Sequence, residues 1–175
     1  MKVWDWPVRL LHWALVLTVS AAWISGGSTG PLHEWLGYGA GGIVLARVGW
    51  GLVGGRYARF GQFVRGPGAT WRYLRAVLAG RAPRHLGHNP LGGWMVLALL
   101  GSAGALALSG ALYVTDWLWG YEWLYRLHAA LGWALPALVA LHVAGVVFTG
   151  RQHGENLVRA MVDGRKAPPA GDDVA

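Results

Sequence analysis

The stretch LYRLHAALGWALPALVALHVAGVVFT, residues 124–149, decides how this chain is read. It is long enough to cross a hydrocarbon core of about 30 Å at 1.5 Å per helical residue. Its interior is almost free of charge, yet it carries two histidines, His128 and His142. Ionisable groups inside a bilayer are expensive, so they are read first as functional. Three more runs of the same kind lie at Leu10–Gly27, Leu32–Val53 and Leu91–Val114, bounded mostly by Gly or Pro. The fold expected is all-α, an integral membrane four-helix bundle with short cytoplasmic amphipathic helices at Thr70–Ala79 and Glu155–Val162. Residues 1–167 are read as one domain and 168–175 as a polar, disordered tail.

Composition agrees with a lipid-facing chain. Of 175 residues, 54% are hydrophobic and only 13% charged, about half the share usual in a soluble domain. The 12 Trp and 28 Gly suit interfacial anchoring and close helix packing. With no cysteine, thiolate metal sites, Fe–S clusters and C-x-x-C-H haem attachment are excluded. A net charge of +7 suggests nucleic acid, but the basic residues lie between the apolar runs and are read as topology signals. Arg56, Arg59, Arg65, Arg72, Arg75, Arg81 and Arg84 fill the segment between the second and third runs, with no acid. Lys2, Arg9, Arg151, Arg159, Arg165 and Lys166 flank the first and last runs, whereas the short turn at 26–31 and the segment 115–123 hold no Lys or Arg. Both termini and the Arg-rich loop therefore belong on the cytoplasmic side. A cleaved signal peptide at the first run, with Ser20, Ala21 and Ala22 as small residues, fits poorly because Trp4, Trp6, Trp13, Arg9 and His12 crowd it.

The histidines form a pattern. His128 and His142 are 14 residues apart on one helix, which returns them to nearly one face about 21 Å apart along the axis. His12 opens the first span and His33 the second, which enters from the opposite side. Depth therefore matches His12 with His142 near the inner surface and His33 with His128 near the outer one. Two imidazoles on facing helices at one depth are what bis-histidine haem ligation requires. One zinc ion could not collect all four, and a proton relay lacks intramembrane acids other than Glu34 at a boundary. Gly37, Gly39, Gly41, Gly42, Gly132 and Gly145 leave room for a flat macrocycle or serve ordinary helix packing. Arg9 and Arg47 are candidates for pairing haem propionates, or they snorkel to headgroups. His85, His88 and His153 lie outside the spans and are read as solvated. The segment 115–126, with Asp116, Trp117, Trp119, Glu122, Trp123 and Arg126, offers a quinone site or an interfacial aromatic belt. Gly37–Gly42 matches G-x-G-x-x-G but sits inside a span, without the strand that a dinucleotide site needs.

Several stretches resemble the bacterial cytochrome b561 family, which includes the cytochrome b subunits of nickel–iron hydrogenases. They are Arg9-Leu-Leu-His-Trp13, Leu32-His-Glu-Trp-Leu-Gly37, Arg47-Val-Gly-Trp-Gly51 and Gly87-His-Asn-Pro-Leu-Gly-Gly93. Leu127-His128, Leu141-His-Val-Ala-Gly145, Glu155-Asn-Leu-Val-Arg-Ala-Met161 and Gly164-Arg-Lys166 continue the likeness in order. The resemblance implies a bacterial inner-membrane protein with two haem b groups, held through iron by His12, His33, His128 and His142. It implies electron transport between ubiquinone or menaquinone and a periplasmic redox protein such as a soluble cytochrome. The alternative it leaves is a self-contained oxidoreductase passing electrons from superoxide, or another small reductant, to quinone. A non-redox membrane scaffold or transporter is the remaining class.

Overall fold

A computed structural model describes residues 1–27, 31–171 and 173–174. The turn expected at 26–31 therefore lies partly outside the described residues. Among those described, the chain is helical: α1 Trp6–Ser25, α2 Leu32–Val53, α3 Phe60–Phe63, α4 Pro67–Leu78, α5 Pro90–Tyr113, α6 Glu122–Gln152 and α7 Leu157–Asp163. Helices α1, α2, α5 and α6 are each long and apolar enough to cross a membrane. Burial inside the fold covers only 6% of the most apolar window in α1 and in α6. Leu17, Ile24, Leu45, Val53 and Trp133 are each at least 70% exposed. Water would oppose such a surface, and lipid is its natural solvent.

Helix α1 begins four residues earlier than hydropathy alone suggests. Asp5 accepts the Val8 N–H at 3.0 Å, capping the helix, and Pro7 sits in the first turn where a missing N–H costs nothing. The same carboxylate accepts the Trp50 indole N–H at 3.1 Å, fastening the end of α2 to the start of α1.

The chain divides into two compact units. The first comprises Met1–Arg9, Gly49–Leu97 and Ala140–Ala175; the second comprises Leu10–Val48 and Ala98–Val139. Each long helix contributes residues to both. In the first unit Val3, Trp4, Val8, Tyr57, Ala58, Leu86 and Ala160 form a buried cluster. Gly164 ends α7 at φ +79°, and a Cβ there would strike the Trp4 carbonyl oxygen. Only glycine accepts both demands. Its carbonyl takes the N–H groups of Val3 (2.9 Å) and Trp4 (3.1 Å), while Lys2 bridges Arg165.

The polar tail read as disordered makes definite contacts. Val174 pairs in parallel with His85, giving its N–H to the Arg84 carbonyl and accepting from Leu86 N–H. The Arg84 guanidinium bonds Glu155 at 2.5 Å, Asp173, and the carbonyls of Ala167 and Pro168. Lys166 lies 3.3 Å from Glu155 with its side chain 5% exposed, and burial pushes its ammonium below the usual lysine range. Polarity suggested solvent, but these polar groups were supplied with partners far away in sequence. The histidines outside the spans are likewise packed. His88 lies against the rings of Trp4 (4.7 Å between centroids) and Phe63 (4.5 Å), and His85 meets Tyr73 edge-on at 5.1 Å. Burial lowers the pKa of both His85 and His153.

In the second unit Ala40, Val44, Ala103, Leu124 and Leu135 are buried. A Cβ on Gly41 would come within 3.2 Å of Ala107, so α2 and α5 approach at a small-residue contact. Pro136 interrupts α6 and cannot donate to the Gly132 carbonyl one turn back. The Trp23 indole N–H of α1 supplies that bond at 3.0 Å, and its ring meets Trp133 edge-on. Trp23→Phe should therefore cost about 1–3 kcal/mol by orphaning the carbonyl. In a Pro136→Ala background, where the backbone repairs itself, the cost should largely vanish. A double-mutant cycle on thermal unfolding in detergent measures this, and strict additivity would refute it.

Candidate functional site

Four of the candidate residues fall in the second unit: His12, His33, Arg47 and His128; Arg9 and His142 fall in the first. All four candidate histidines are half-buried. The structure brings two of them together. His33 near the start of α2 and His128 on α6 face each other with ring centroids 6.0 Å apart and planes at 86°.

Each ring has a hydrogen-bond partner at Nδ1. His33 Nδ1 lies 2.8 Å from the carbonyl oxygen of Ala22, in the last turn of α1. A carbonyl only accepts, so Nδ1 donates and Nε2 keeps its lone pair. His128 Nδ1 lies 3.0 Å from Ser109 Oγ on α5. Ser109 Oγ also lies 3.1 Å from the Leu106 carbonyl, and with its proton given there it accepts from Nδ1. Again Nε2 is left as the base. An outer partner that orients one imidazole nitrogen and frees the other for metal is the usual support of a histidine ligand.

Two imidazoles bound to one metal through nitrogens at about 2 Å place their ring centres about 6 Å apart, the spacing seen. No group of three or more His, Cys, Asp or Glu able to hold a bare ion occurs among the described residues. Two rings alone would not hold a bare ion, and a metal between them would need to come with further ligands of its own, as in haem. Small residues stand at both rings. A Cβ on Gly110 would lie 3.1 Å from His128 Cε1, and one on Gly26 would lie 3.6 Å from His33 Cε1.

His12 lies on α1, edge-on to Trp13 at 5.1 Å, and His142 lies on α6. Arg47 is 6% exposed, so it is held within the fold and does not snorkel. Arg9 is engaged elsewhere in its own unit, where its guanidinium donates to the Val162 carbonyl at the end of α7. That is a favourable place for a cation.

The sequence matches the description prokaryotic cytochrome b561 over residues 3–164. The chain belongs to that family. Neither a curated protein nor a solved structure matches it significantly. As a cytochrome b561, the chain is a membrane-embedded haem b electron-transfer protein, and its four apolar helices fit a multi-pass bacterial membrane protein.

Ser109, Ala22, Gly26 and Gly110 escaped the reading of this cytochrome from sequence. Only Ser109 left a trace, as one of two serines, with Ser102, in the span Pro90–Tyr113. The glycines singled out from sequence behave differently. Gly41 serves packing, Gly39 approaches Thr18, and Gly37, Gly42, Gly132 and Gly145 have open space where a Cβ would be.

Proposed function

We propose that this cytochrome b561 holds two haem b groups, one between His33 and His128 and one between His12 and His142, within a single domain at residues 1–167. It passes electrons between the quinone pool and a periplasmic redox protein. The observation that carries this reading is the facing pair His33–His128 with both Nε2 atoms left basic. Haem b supplies a one-electron iron couple when bound, and the chain sets its surroundings. The Ala22 carbonyl and Ser109 orient the outer imidazoles and raise their basicity. Arg47, buried in the second unit, offers a cation for a propionate, as does Arg9 at lower availability. The positive-inside distribution supports cytoplasmic termini in the inner membrane, with the His33–His128 level toward the periplasm.

The test uses the haem-loaded protein in sealed vesicles containing menaquinol or ubiquinol. Reduction of the haem bands, followed by re-oxidation only when a soluble periplasmic cytochrome is added outside, is expected. Rapid reduction by superoxide with quinone alone, and no need of a protein partner, would instead establish the self-contained oxidoreductase.

A further inference from the structure

The Arg-rich segment between α2 and α5 contains more than a topology signal. Helix α4 is fastened to the first unit by Tyr73, which is 7% exposed. Its other side carries Trp71, Leu74 and Leu78 at helical spacing, with Trp71 60% and Leu78 78% exposed. Beside this stripe lies a groove of about 250 Å³ lined by Pro67, Thr70, Trp71, Leu74 and Trp94. Trp94 stands in the first turns of α5, where a membrane span begins, and its indole N–H is held by the Arg65 carbonyl (3.0 Å) and Thr70 Oγ1 (3.1 Å). The groove thus sits where the chain enters the bilayer. Arg72 and Arg75 flank the stripe, and the Arg72 guanidinium folds back toward Gly68, next to Pro67. No acidic residue occurs anywhere in residues 54–84. By contrast, the groove beside Val146 and Leu157 is lined by Glu155 as well as Arg151.

We infer that the groove between α4 and the start of α5 is a specific site for one anionic phospholipid. Its phosphate pairs with Arg72 and Arg75, and its glycerol and upper acyl chain lie against Trp71, Leu74 and Trp94. Charge complementarity selects the headgroup, and the two exposed indoles supply the amphipathic wall that lipid interfaces favour.

The experiment is native mass spectrometry of the full haem-loaded chain from micelles with equal phosphatidylglycerol and phosphatidylcholine. One phosphatidylglycerol should be retained in preference to phosphatidylcholine. Replacing both arginines, Arg72→Gln with Arg75→Gln, should weaken retention about 30-fold, at roughly 1 kcal/mol for each basic residue near an anionic surface. The charge-matched pair Arg56→Gln with Arg59→Gln should leave it unchanged, and Trp71→Ala should weaken it with charge intact. Unaltered haem bands in each variant report that it has folded. Equal retention of the two lipids, equal loss in both arginine pairs, or displacement by millimolar inorganic phosphate would each overturn the inference.

Discussion

Replacing His128 by alanine should leave the purified cytochrome with roughly half its haem b if, as proposed, two histidine pairs each hold one haem. The ratio of haemochromogen absorbance to protein measures this directly. Pairing predicts a pattern beyond the single loss. His33→Ala combined with His128→Ala should remove no more haem than either change alone, since both act on one site. His12→Ala combined with His128→Ala should remove nearly all. If the first pair removes both haems, or if His128→Ala retains a full complement, the assignment fails. Ser109→Ala is the milder probe of the same site. It takes away the acceptor for His128 Nδ1–H at 3.0 Å and should weaken haem binding about tenfold. The imidazole becomes a poorer electron donor, so the potential of that haem should rise.

Arg84→Ala should produce the largest loss of stability. The guanidinium is 13% exposed and joins Glu155, Asp173 and two tail carbonyls, bonds that hold residues far apart in sequence. Without it, Asp173 loses its cationic partner and keeps only the Ala170 N–H, and Glu155 keeps only Lys166. Breaking a buried ion pair by removing one partner costs about 3–5 kcal/mol, or roughly two to four orders of magnitude in the unfolding equilibrium. Unfolding in detergent, with limited proteolysis of residues 167–174, reads both the loss and the release of the tail. An unchanged midpoint with a protected tail would contradict it. The same cluster sets a pH limit. Burial pulls the Glu155 carboxyl upward, but the Arg84 bond and Lys166 outweigh it and hold the group below the usual range. A depressed folded pKa means that the unfolded chain binds the proton first as pH falls. This contribution is therefore complete above about pH 5 and fades as pH falls through the glutamate range and below.

The two kinds of feature differed in how far sequence carries them. The four spans were legible because hydropathy over some twenty residues is a sum, and no distant contact reverses it. The positions of His33 and His128 followed from rise per residue and alternating direction, which are equally local. Ser109 and the Ala22 carbonyl were not legible, because meeting an imidazole depends on the rotation of α5 and the ending of α1. Pro136 was a readable clue: a proline inside a span leaves a carbonyl that some neighbour must satisfy. Trp23 could not be named from it, because any donor on an adjoining helix would serve. The contacts of the tail were not legible for a related reason. Its polarity is typical of a solvated segment, and the salt bridge from Arg84 to Asp173 joins positions 89 residues apart.

The pairing of residues 2–4 with 164–165 also bears on how the cytochrome is made. The N–H groups of Val3 and Trp4 are made about 160 residues before the Gly164 carbonyl that accepts them. Until Gly164 is made, Val3 and Trp4 wait without this acceptor, while the second unit, which ends at Val139, has already been synthesised. Closure of the first unit is thus a late, high-contact-order event. A chain stalled before Ala160 would display an open backbone edge and a core cluster one residue short to proteases. The same few hydrogen bonds thereby mark whether synthesis has passed Gly164.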